Sequence, residues 1–263
     1  MSQQDQTRRP VALITGAASG IGAACAHMIM MQSGAELVMM DRDGDGLTAV
    51  VATLPQPQDV LTITMDVTDE AAWATATVKI KDRFGRLDWV VASAGVTFGA
   101  AITETRLEDW RRVLTINLDG VFLTLRATLP VIRAGGQGGA VVVVSSAAAV
   151  KAEPGVGAYG ASKAGALQLA KIAAKEGAPD RIRVNVLLPG GVETPMWRTL
   201  PMFAQLVHEH GSEQAAFDAL ARLATPLERY STAEEMATLV LFLLRDAPTV
   251  TGAALVADGG YTL

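Results

Sequence analysis

The chain has 263 residues, half of them hydrophobic, with a formal net charge of -5 and a pI of about 5.3. This length fits one large α/β domain or two small ones, and we expect a single domain over residues 1–263. An acidic chain without a basic stripe argues against nucleic acid and anionic membranes as partners. The single cysteine, Cys25, excludes an internal disulfide and suits a reducing cytoplasm.

The first nine residues are polar and are expected to be frayed. Arg8 and Arg9 are compatible with a twin-arginine export signal, but the residues after them predict a strand and a glycine loop rather than an apolar signal core. The longest apolar runs, such as residues 140–144, are too short to cross a bilayer. We therefore predict a soluble cytoplasmic protein with no membrane partner.

A glycine loop dominates the start of the chain. Residues 11–15 are apolar or β-branched and predict a buried parallel strand, Gly16, Gly20 and Gly22 follow, and the Ala-rich run 23–31 predicts a helix. Such a turn presents free N–H groups and the positive end of a helix dipole to a pyrophosphate. A plain strand–helix turn is the alternative, but the flanking strand and helix favour a dinucleotide site.

A second strand, residues 36–40, stops at Asp41, nineteen residues after Gly22. A carboxylate at this distance accepts hydrogen bonds from an adenosine ribose and repels a 2′-phosphate, whereas the alternative is a solvated Asp in a turn. Arg42 would favour NADP, but residues 17–19 of the glycine loop carry no basic side chain. We therefore predict NAD as the cofactor, with NADP less favoured.

Two acidic or histidine-containing segments invite a metal interpretation. Residues 41–46 match the start of an EF-hand loop, but position twelve would be Ala52 where a bidentate Glu is needed, and a strand precedes the segment. His208 and His210 lie beside Glu209 in a polar stretch typical of solvated side chains. We therefore predict no metal site.

Small or polar residues follow each of the next predicted strands. These strands and the residues after them are 61–65 with Asp66 and Val67, 87–92 with Ser93, Ala94 and Gly95, 140–144 with Ser145 and Ser146, and 182–187 with Pro189, Gly190 and Gly191. Small residues at strand ends let the backbone approach a nucleotide closely, although a tight turn explains residues 93–95 almost as well. Thr68 is the expected N-cap of a helix that runs to about residue 84, where Gly85 ends it.

Two helical stretches carry unusual residues. Residues 107–132 have a helical pattern but contain Asn117 and Gly120, which lower helix stability, so Asn117 marks either a kink with a purpose or a tolerated flaw. Tyr159 and Lys163 lie in an Ala-rich helix that runs to about residue 176, and their i, i+4 spacing places them on one face.

Strands and helices alternate to the end of the chain, through a helical excursion at 195–228, a helix that opens with a cap at 231–234 and runs to about 244, and a last strand at 253–256. This alternation predicts an α/β fold, a doubly wound parallel sheet of Rossmann type in a single domain. Ligands of such sheets bind beyond the carboxyl ends of the strands. The residues predicted at these ends are Thr15, Gly16, Asp41, Asp66, Ser93, Ser146 and Pro189.

Tyr159, Lys163 and Ser146 suggest proton chemistry. A free Tyr has a pKa near ~10, and lowering it by about three units requires roughly 4 kcal/mol, which a nearby ammonium and an oxidised nicotinamide would supply by stabilising phenolate. Tyr159 would then exchange a proton with an alcohol or ketone, Ser146 would hold the substrate oxygen, and Lys163 would hold the nicotinamide ribose. The alternative is a surface Tyr and Lys on an Ala-rich helix.

These motifs resemble the short-chain dehydrogenase/reductase (SDR) family over nearly the full chain. Residues 15–22 match its Thr-Gly-x-x-x-Gly-Ile-Gly signature, residues 159–163 match its Tyr-x-x-x-Lys signature, and Ser146 and Asn117 fall where the family has its catalytic Ser and Asn. The resemblance implies that Tyr159 is the general acid/base, Ser146 orients the substrate, and Lys163 tunes the pKa of Tyr159. It implies a proton-relay role for Asn117.

The resemblance also implies a set of cofactor contacts, in which Asp66 and Val67 flank the adenine and Val192 and Thr194 hold the carboxamide. The complete set is Gly16, Ser19, Gly20, Ile21, Gly22, Asp41, Asp66, Val67, Ala94, Gly95, Tyr159, Lys163, Pro189, Gly190, Val192 and Thr194. The family's usual Asn-Asn-Ala-Gly is Ala-Ser-Ala-Gly at residues 92–95, which puts some strand-bracing hydrogen bonds in doubt. A homotetramer through residues 107–132, residues 158–176 and the last strand is expected.

The resemblance implies an NAD(P)-dependent oxidoreductase that interconverts a small secondary alcohol and a ketone. The segment 195–228 would cover the substrate with apolar residues, or these residues would serve helix packing; they are Met196, Trp197, Leu200, Met202, Phe203 and Leu206. Two other functions stay open. An NADPH-linked 3-oxoacyl thioester reductase of the same family is disfavoured by Asp41, and a non-catalytic nucleotide-binding regulator is disfavoured by the intact set of Asn117, Ser146, Tyr159 and Lys163.

Overall fold

A computed structural model of the chain describes residues 8–263, and the expected fraying of residues 1–7 lies outside them. Arg9, which we also expected to be frayed, is held in place. Its guanidinium donates a 2.5 Å hydrogen bond to the carbonyl oxygen of Gly34 and forms a 2.6 Å ion pair with Asp59. The expectation is therefore wrong for Arg9, because its side chain ties the start of the chain to two neighbouring elements.

Strands and helices alternate along the described chain. The strands are β1 (Val11–Thr15), β2 (Glu36–Asp41), β3 (Val60–Thr64), β4 (Trp89–Ala92), β5 (Gly139–Val144), β6 (Ile182–Pro189) and β7 (Ala254–Ala257). The helices are α1 (Gly20–Ser33), α2 (Gly44–Thr53), α3 (Glu70–Phe84), α4 (Leu107–Leu114), α5 (Gly120–Ala134), α6 (Gly157–Gly177), α7 (Pro201–His210), α8 (Glu213–Ala224) and α9 (Ala233–Leu241). Two π-helical segments, Thr115–Asp119 and Phe242–Asp246, join α4 to α5 and extend α9.

The strands form one parallel sheet in the order β3-β2-β1-β4-β5-β6-β7, which confirms the predicted doubly wound α/β fold. All five residues of β1 are buried, as expected for the central strand of a sheet with helices on both faces. The chain leaves β1 toward β2 and β3, then returns to β4 on the other side. This reversal creates the crevice in which such sheets bind ligands.

Two apolar layers hold the helices against the sheet. On one face, α3, α5 and α6 pack through side chains that include Ile80, Leu125 and Leu167. On the other face, α1, α2 and α9 pack through a second set that includes Ile29 and Val240. The buried β-branched runs of the strands supply the middle of both layers, because successive residues of a strand point to opposite faces.

One helix was not predicted, and one helix cap was predicted wrongly. The unpredicted helix, α2, begins at a cap where the Asp43 side chain accepts a 2.9 Å hydrogen bond from the Gly46 N–H. Thr68 is not the N-cap of α3. Asp69 caps that helix by accepting from the N–H groups of Ala71 and Ala72, while the Thr68 hydroxyl donates to Asp66. A carboxylate one residue later competes successfully for the cap position.

The predicted interruption at Asn117 is the first π-helical segment, which inserts an extra residue between α4 and α5. The combined stretch Leu107–Ala134 is the one helix among residues 8–263 that is long and apolar enough, by length and average composition, to cross a bilayer. It is not an uninterrupted apolar run, because Arg111, Asp119 and Arg126 lie within it. Its side chains Val113, Val121, Leu125 and Ile132 are buried in the protein, where the last three join the layer on the sheet. A core helix of a sheet protein meets the same length criterion.

Candidate active site

The glycine loop after β1 is shaped by contacts that leave no room for a side chain. A Cβ atom on Gly16, where φ is +69°, would lie 2.8 Å from the Cα of Ala94, and one on Gly22 would lie 2.0 Å from the carbonyl oxygen of Gly16. The loop therefore lies directly on the end of β4, with Ser19 in extended conformation before α1. Among residues 8–263, no side chain caps the start of α1, so its first N–H groups are left available to an anion.

Asp41 is fixed beside this loop at the end of β2. One carboxylate oxygen accepts a 3.1 Å hydrogen bond from the Ala18 N–H, and the other accepts a 3.0 Å hydrogen bond from the Asp43 N–H. The side chain is half-buried, whereas that of Arg42 is exposed. The negative charge is therefore held against the loop by two backbone groups and does not move freely in solvent.

The end of β4 is braced from two sides by side chains of other elements. The Thr15 hydroxyl oxygen accepts hydrogen bonds from the N–H groups of Ser93 at 3.1 Å and Ala94 at 3.2 Å. The Asn117 amide accepts from the Val96 N–H at 2.8 Å and donates to the Val96 carbonyl at 2.9 Å. The side chains of Thr15 and Asn117 thus bind the backbone of this segment, and none of these bonds uses the side chain of Ser93.

Asn117 links the π-helical segment to α6. Its side chain is fully buried, and its Nδ2 donates a 3.1 Å hydrogen bond to the hydroxyl of Ser162, which in turn donates a 2.7 Å hydrogen bond to the carbonyl oxygen of Tyr159. The π-helical segment places this amide between β4 and α6. Sequence reasoning identified Asn117 but missed Ser162, although Ser162 stands within the Tyr-Gly-Ala-Ser-Lys motif.

Lys163 is buried at the end of β5, with its Nζ donating a 3.1 Å hydrogen bond to the carbonyl oxygen of Val144. The same Nζ lies 5.7 Å from the centre of the Tyr159 ring and 3.4 Å from the position of a Cβ on Gly95. The Ser145 hydroxyl donates a 2.8 Å hydrogen bond to the carbonyl oxygen of Lys163. The ammonium, the phenol ring and Gly95 therefore lie together, as the spacing of Tyr159 and Lys163 predicts.

The ionisation of Tyr159 and Lys163 is governed by burial. Burial raises the pKa of Tyr159, and a hydrogen bond with Ser146 opposes that rise. Burial lowers the pKa of Lys163 to about 8. In the protein alone Tyr159 is therefore a neutral phenol at neutral pH, ready to donate a proton, and its ionisation requires further positive charge nearby.

Asp66 and Val67 lie at the end of β3, beside the crevice. The exposed Asp66 carboxylate accepts from the N–H and hydroxyl of Thr68, at 2.9 and 2.7 Å. Val67 is 6% exposed, and its methyl lies 2.8 Å from the position of a Cβ on Gly120, so that Gly120 gives it space at the start of α5. Asp66 thus presents an ordered carboxylate, whereas Val67 contributes an apolar surface.

The segment after β6 completes the crevice opposite the glycine loop. Pro189 is buried, and the Gly190 N–H donates a 3.0 Å hydrogen bond to the carbonyl of Ala257. Beyond it, Val192 pairs with Ser231. These contacts hold the segment against β7 and the loop before α9.

Thr194 and Gly20 face each other across the crevice. The methyl of Thr194 lies 3.4 Å from the position of a Cβ on Gly20. Ile21, the next residue of α1, is half-buried and packs on the apolar layer of that face. The fold thus brings the predicted pyrophosphate and carboxamide segments into contact, although they are far apart in the sequence.

The segment 195–228 folds around a cluster of four aromatic rings: Trp197, Phe203, Phe217 and Tyr230. Phe203 is 2% exposed, so the helix-packing interpretation holds for it, whereas Met196 and Met202 are exposed. His208 and His210 are exposed as expected, and residues 8–263 contain no group of three His, Cys, Asp or Glu side chains placed to hold a metal ion.

Comparisons with known proteins match this architecture. A family model described as enoyl-(acyl carrier protein) reductase matches residues 16–262. The 3-oxoacyl-[acyl-carrier-protein] reductase of Thermotoga maritima is 36% identical, over 96% of this chain and 98% of its own length. The cis-4-hydroxycyclohexanecarboxylate dehydrogenase of Sinomonas cyclohexanicum is 38% identical, over 96% of each chain. The crystal structure of carveol dehydrogenase from Mycobacterium avium in complex with NAD has a TM-score of 0.90 and 30% identity, over 97% of this chain and 98% of that one.

Proposed function

Because the chain belongs to the short-chain dehydrogenase/reductase family, we propose that it is an NAD-linked oxidoreductase that interconverts a small secondary alcohol and a ketone. The observation that carries the proposal is the cluster at the ends of β4 and β5, where Tyr159 forms a hydrogen bond with Ser146 and the buried Nζ of Lys163 lies 5.7 Å from the centre of the Tyr159 ring. Relatives named as dehydrogenases of hydroxycyclohexanecarboxylate and threitol support a hydroxylated substrate.

The crevice fits a dinucleotide because its glycines leave space where side chains would stand. Gly16, Gly20 and Gly22 shape a loop with free N–H groups at the start of α1, suited to a pyrophosphate. We assign the adenine side to Asp66 and Val67, and the nicotinamide side to the remaining residues of the predicted set: Ala94, Gly95, Tyr159, Lys163, Pro189, Gly190, Val192 and Thr194. Ser19 and Ile21 complete the pyrophosphate loop. When bound, the nicotinamide supplies or accepts the hydride.

Asp41 supports NAD over NADP as the cofactor. Its charge is held beside the glycine loop by the N–H groups of Ala18 and Asp43. A 2′-phosphate placed there would meet a fixed carboxylate, while a ribose hydroxyl would find a hydrogen-bond acceptor. The neighbouring Arg42 is exposed and free of this constraint.

The side chains divide the proton chemistry among them. The Tyr159 hydroxyl gives its proton to a ketone oxygen or takes the proton of an alcohol, while the Ser146 hydroxyl holds that oxygen. Lys163 places positive charge near the ring and favours phenolate in the oxidation direction. Asn117 holds the π-helical segment against β4 and α6, and we assign it to the proton relay with Lys163.

A panel of secondary alcohols with NAD, followed by the absorbance of the reduced nicotinamide, tests the proposal. Turnover by the wild type that is lost in Tyr159→Phe supports it. Turnover that survives unchanged in Tyr159→Phe contradicts the assigned chemistry. NAD binding without turnover of any alcohol or ketone would favour the non-catalytic regulator.

A 3-oxoacyl thioester reductase that uses NADPH is the second candidate. The Thermotoga maritima relative and the description of the family model favour it. The cofactor separates the two candidates, because the fixed carboxylate of Asp41 disfavours the phosphorylated nucleotide. Faster reduction of a 3-oxoacyl thioester with NADPH than with NADH would favour this second candidate.

We also propose a cytoplasmic homotetramer. Large apolar side chains are exposed on α4, α5, α6 and β7, the elements through which association is expected: Trp110, Phe122, Ile172 and Val256. Burial of these side chains between copies would remove apolar surface from water. Light scattering on the eluting protein should give a mass near four times 27.5 kDa, and a mass near 27.5 kDa would contradict the assignment.

A further inference from the structure

The residues that follow β7 fold into a compact turn, residues 258–263. The Asp258 carboxylate accepts hydrogen bonds from the N–H of Gly260 at 2.8 Å and the N–H of Thr262 at 2.9 Å. The Tyr261 N–H donates to the carbonyl of Asp258. These bonds give the backbone of the turn a defined shape.

Lys151 joins this turn to the loop that starts at Ser146. Its Nζ donates a 2.6 Å hydrogen bond to the carbonyl oxygen of Tyr261, lies 3.8 Å from the centre of the Tyr261 ring, and pairs with Glu153 at 3.3 Å. The backbone N–H of Lys151 donates a 2.9 Å hydrogen bond to the carbonyl of Ala147. Lys151 therefore closes the short loop that begins at Ser146 and holds it to the turn.

The same turn contacts the two other walls of the crevice. The residue before it, Ala257, accepts the hydrogen bond from Gly190, and a Cβ on Gly190 would lie 2.7 Å from the Cα of Asp258. The Gly259 carbonyl accepts a 3.1 Å hydrogen bond from Leu227, in the substrate-side segment. The turn is thus a common support for the Ser146 loop, the segment after β6 and the segment 195–228.

The contacts of Lys151 with Glu153 and Tyr261 should affect the position of the neighbouring loops more than the stability of the whole fold. The side chains of Lys151 and Glu153 are 34% and 37% exposed, and an ion pair at such a surface contributes little to folding. The ammonium over the Tyr261 ring and on its carbonyl is more directional, because a cation prefers the ring face and a charged donor strengthens a hydrogen bond. Burial and the neighbouring Glu153 raise the pKa of Tyr261 to about 12, so its ring stays neutral at physiological pH.

We propose that Lys151 and Tyr261 form a clasp, a pair of positioning residues that holds the Ser146 loop against the substrate-side segment and thereby sets the affinity for the alcohol or ketone. The inference rests on the proposed function, because Ser146 is assigned there to the substrate oxygen. Opening the clasp leaves the glycine loop and Asp41 untouched. Substrate affinity and cofactor affinity should therefore respond differently.

Steady-state kinetics of Tyr261→Ala and Lys151→Met test the clasp. In Lys151→Met, which removes both the ring contact and the hydrogen bond to the Tyr261 carbonyl, we expect KM for the alcohol to rise by about tenfold. In Tyr261→Ala, which removes the ring contact and keeps the carbonyl, we expect a rise of about fivefold. In both variants kcat should change less and the NAD dissociation constant should stay unchanged. The double variant should be no worse than Lys151→Met, because that single variant already removes every contact of the Lys151 ammonium with Tyr261. Tyr261→Phe keeps the ring and the carbonyl and should behave as wild type, as should Leu263→Ala at a fully exposed side chain.

Hydrogen exchange separates this inference from the proposed function, because it requires no turnover. The N–H groups of Lys151 and Val150, both bonded to Ala147, should exchange faster in Tyr261→Ala and in Lys151→Met, but not in Tyr261→Phe. Unchanged exchange together with an unchanged KM would overturn the clasp. A KM effect that is additive in the double variant, or equal weakening of NAD and alcohol, would overturn it as well. If the wild type itself turned over no alcohol or ketone, that result would instead count against the proposed function.

Discussion

The indole Nε1 of Trp197 donates a 2.9 Å hydrogen bond to the carbonyl oxygen of Val192. This bond connects the aromatic cluster of the segment 195–228 to the segment after β6. Tyr230 reinforces the connection, because its ring lies 2.3 Å from the position of a Cβ on Gly191 and stacks on Trp197 with ring centres 5.5 Å apart. The substrate-side segment is therefore anchored next to the proposed carboxamide contacts.

Trp197→Ala should destabilise the protein. The side chain is half-buried in contact with three rings, so we expect a loss of about 2–3 kcal/mol, below the range for a fully buried Trp. Trp197→Phe keeps a ring in the cluster but removes the bond to Val192 and part of the contact area of the indole, so we expect a smaller loss of about 1–2 kcal/mol. Thermal unfolding of both variants checks the order. Equal melting temperatures for wild type and Trp197→Ala would show that the cluster does not carry stability.

Asp41→Ser should narrow the preference for NAD. The substitution removes the charge that faces a 2′-phosphate, while the backbone of β2 and the glycine loop remain. Ligand binding to the folded protein raises its free energy of unfolding by mass action, by about 2.7 kcal/mol when the ligand concentration is a hundred times the dissociation constant. The melting temperature rises accordingly. The melting temperature of the wild type should therefore rise more with NAD than with NADP, whereas the two cofactors should raise the melting temperature of Asp41→Ser by more similar amounts.

Arg42→Ala is the matched control for that experiment. Its exposed side chain lies next to Asp41, and its removal should leave the NAD shift unchanged. The cofactor assignment would be reversed if NADP raised the melting temperature of the wild type more than NAD did, and if this difference disappeared in Arg42→Ala.

Tyr159→Phe should reduce turnover by about 10²–10⁴-fold, the usual effect of a positioned acid or base. The ring and its packing remain, so NAD binding should stay near the wild-type value. Lys163→Ala should differ by weakening NAD as well, because Lys163 is also assigned to the nicotinamide ribose. Single-turnover rates and NAD titrations of both variants separate these effects.

The rates of ketone reduction and alcohol oxidation should depend on pH differently, because the two directions need opposite protonation states of Tyr159. Burial raises the pKa of Tyr159, so the phenol needed for ketone reduction is present throughout the neutral range. Alcohol oxidation needs the ionised form and should accelerate as pH rises, with a slope of about one in a logarithmic plot because one proton is lost. An oxidation rate that is independent of pH would argue against Tyr159 as the base.

Lys163→Met should be more stable than the wild type at neutral pH. Burial lowers the pKa of Lys163 from 10.5 to about 8, so the unfolded chain binds more protons between these two pH values. The stability of the wild type therefore rises as pH increases from 8 to 10.5, and at pH 7 the buried charge costs up to roughly 3 kcal/mol. Denaturant unfolding of both proteins between pH 8 and pH 10.5 should show that the difference between their free energies of unfolding decreases as pH rises. A wild type that is more stable than the variant at pH 7 would contradict this account.

Much of the fold follows from patterns that are local in sequence. Runs such as residues 140–144 are buried on both faces and predict parallel strands directly, and the i, i+4 spacing of Tyr159 and Lys163 fixes their shared face. Helix α2 was missed because Gly44 and Gly46 fall in its first turn, where two glycines lower helix propensity and resemble a loop.

The partners of the site residues could not be predicted in the same way. The bonds from Asn117 to Val96 and Ser162, and from Lys163 to Val144, join residues that are distant in the chain. Their geometry depends on how β4, β5 and α6 pack, which no local spacing encodes. The sequence could show that an amide and a Lys were unusual at these positions, but only the packed structure shows what holds them.

The order of strands in the sheet also bears on how the protein assembles during synthesis. β1, β2, β3 and β4 pair only among themselves until β5 is added, so this half of the sheet can form once residue 92 has been made. From β5 onward each strand pairs with the one made just before it, and the sheet grows outward at one edge in the order of translation. The N-terminal part of a chain emerges first during synthesis. The glycine loop can therefore be built before the loop of Ser146 exists, and the Lys151–Tyr261 contact is among the last to close.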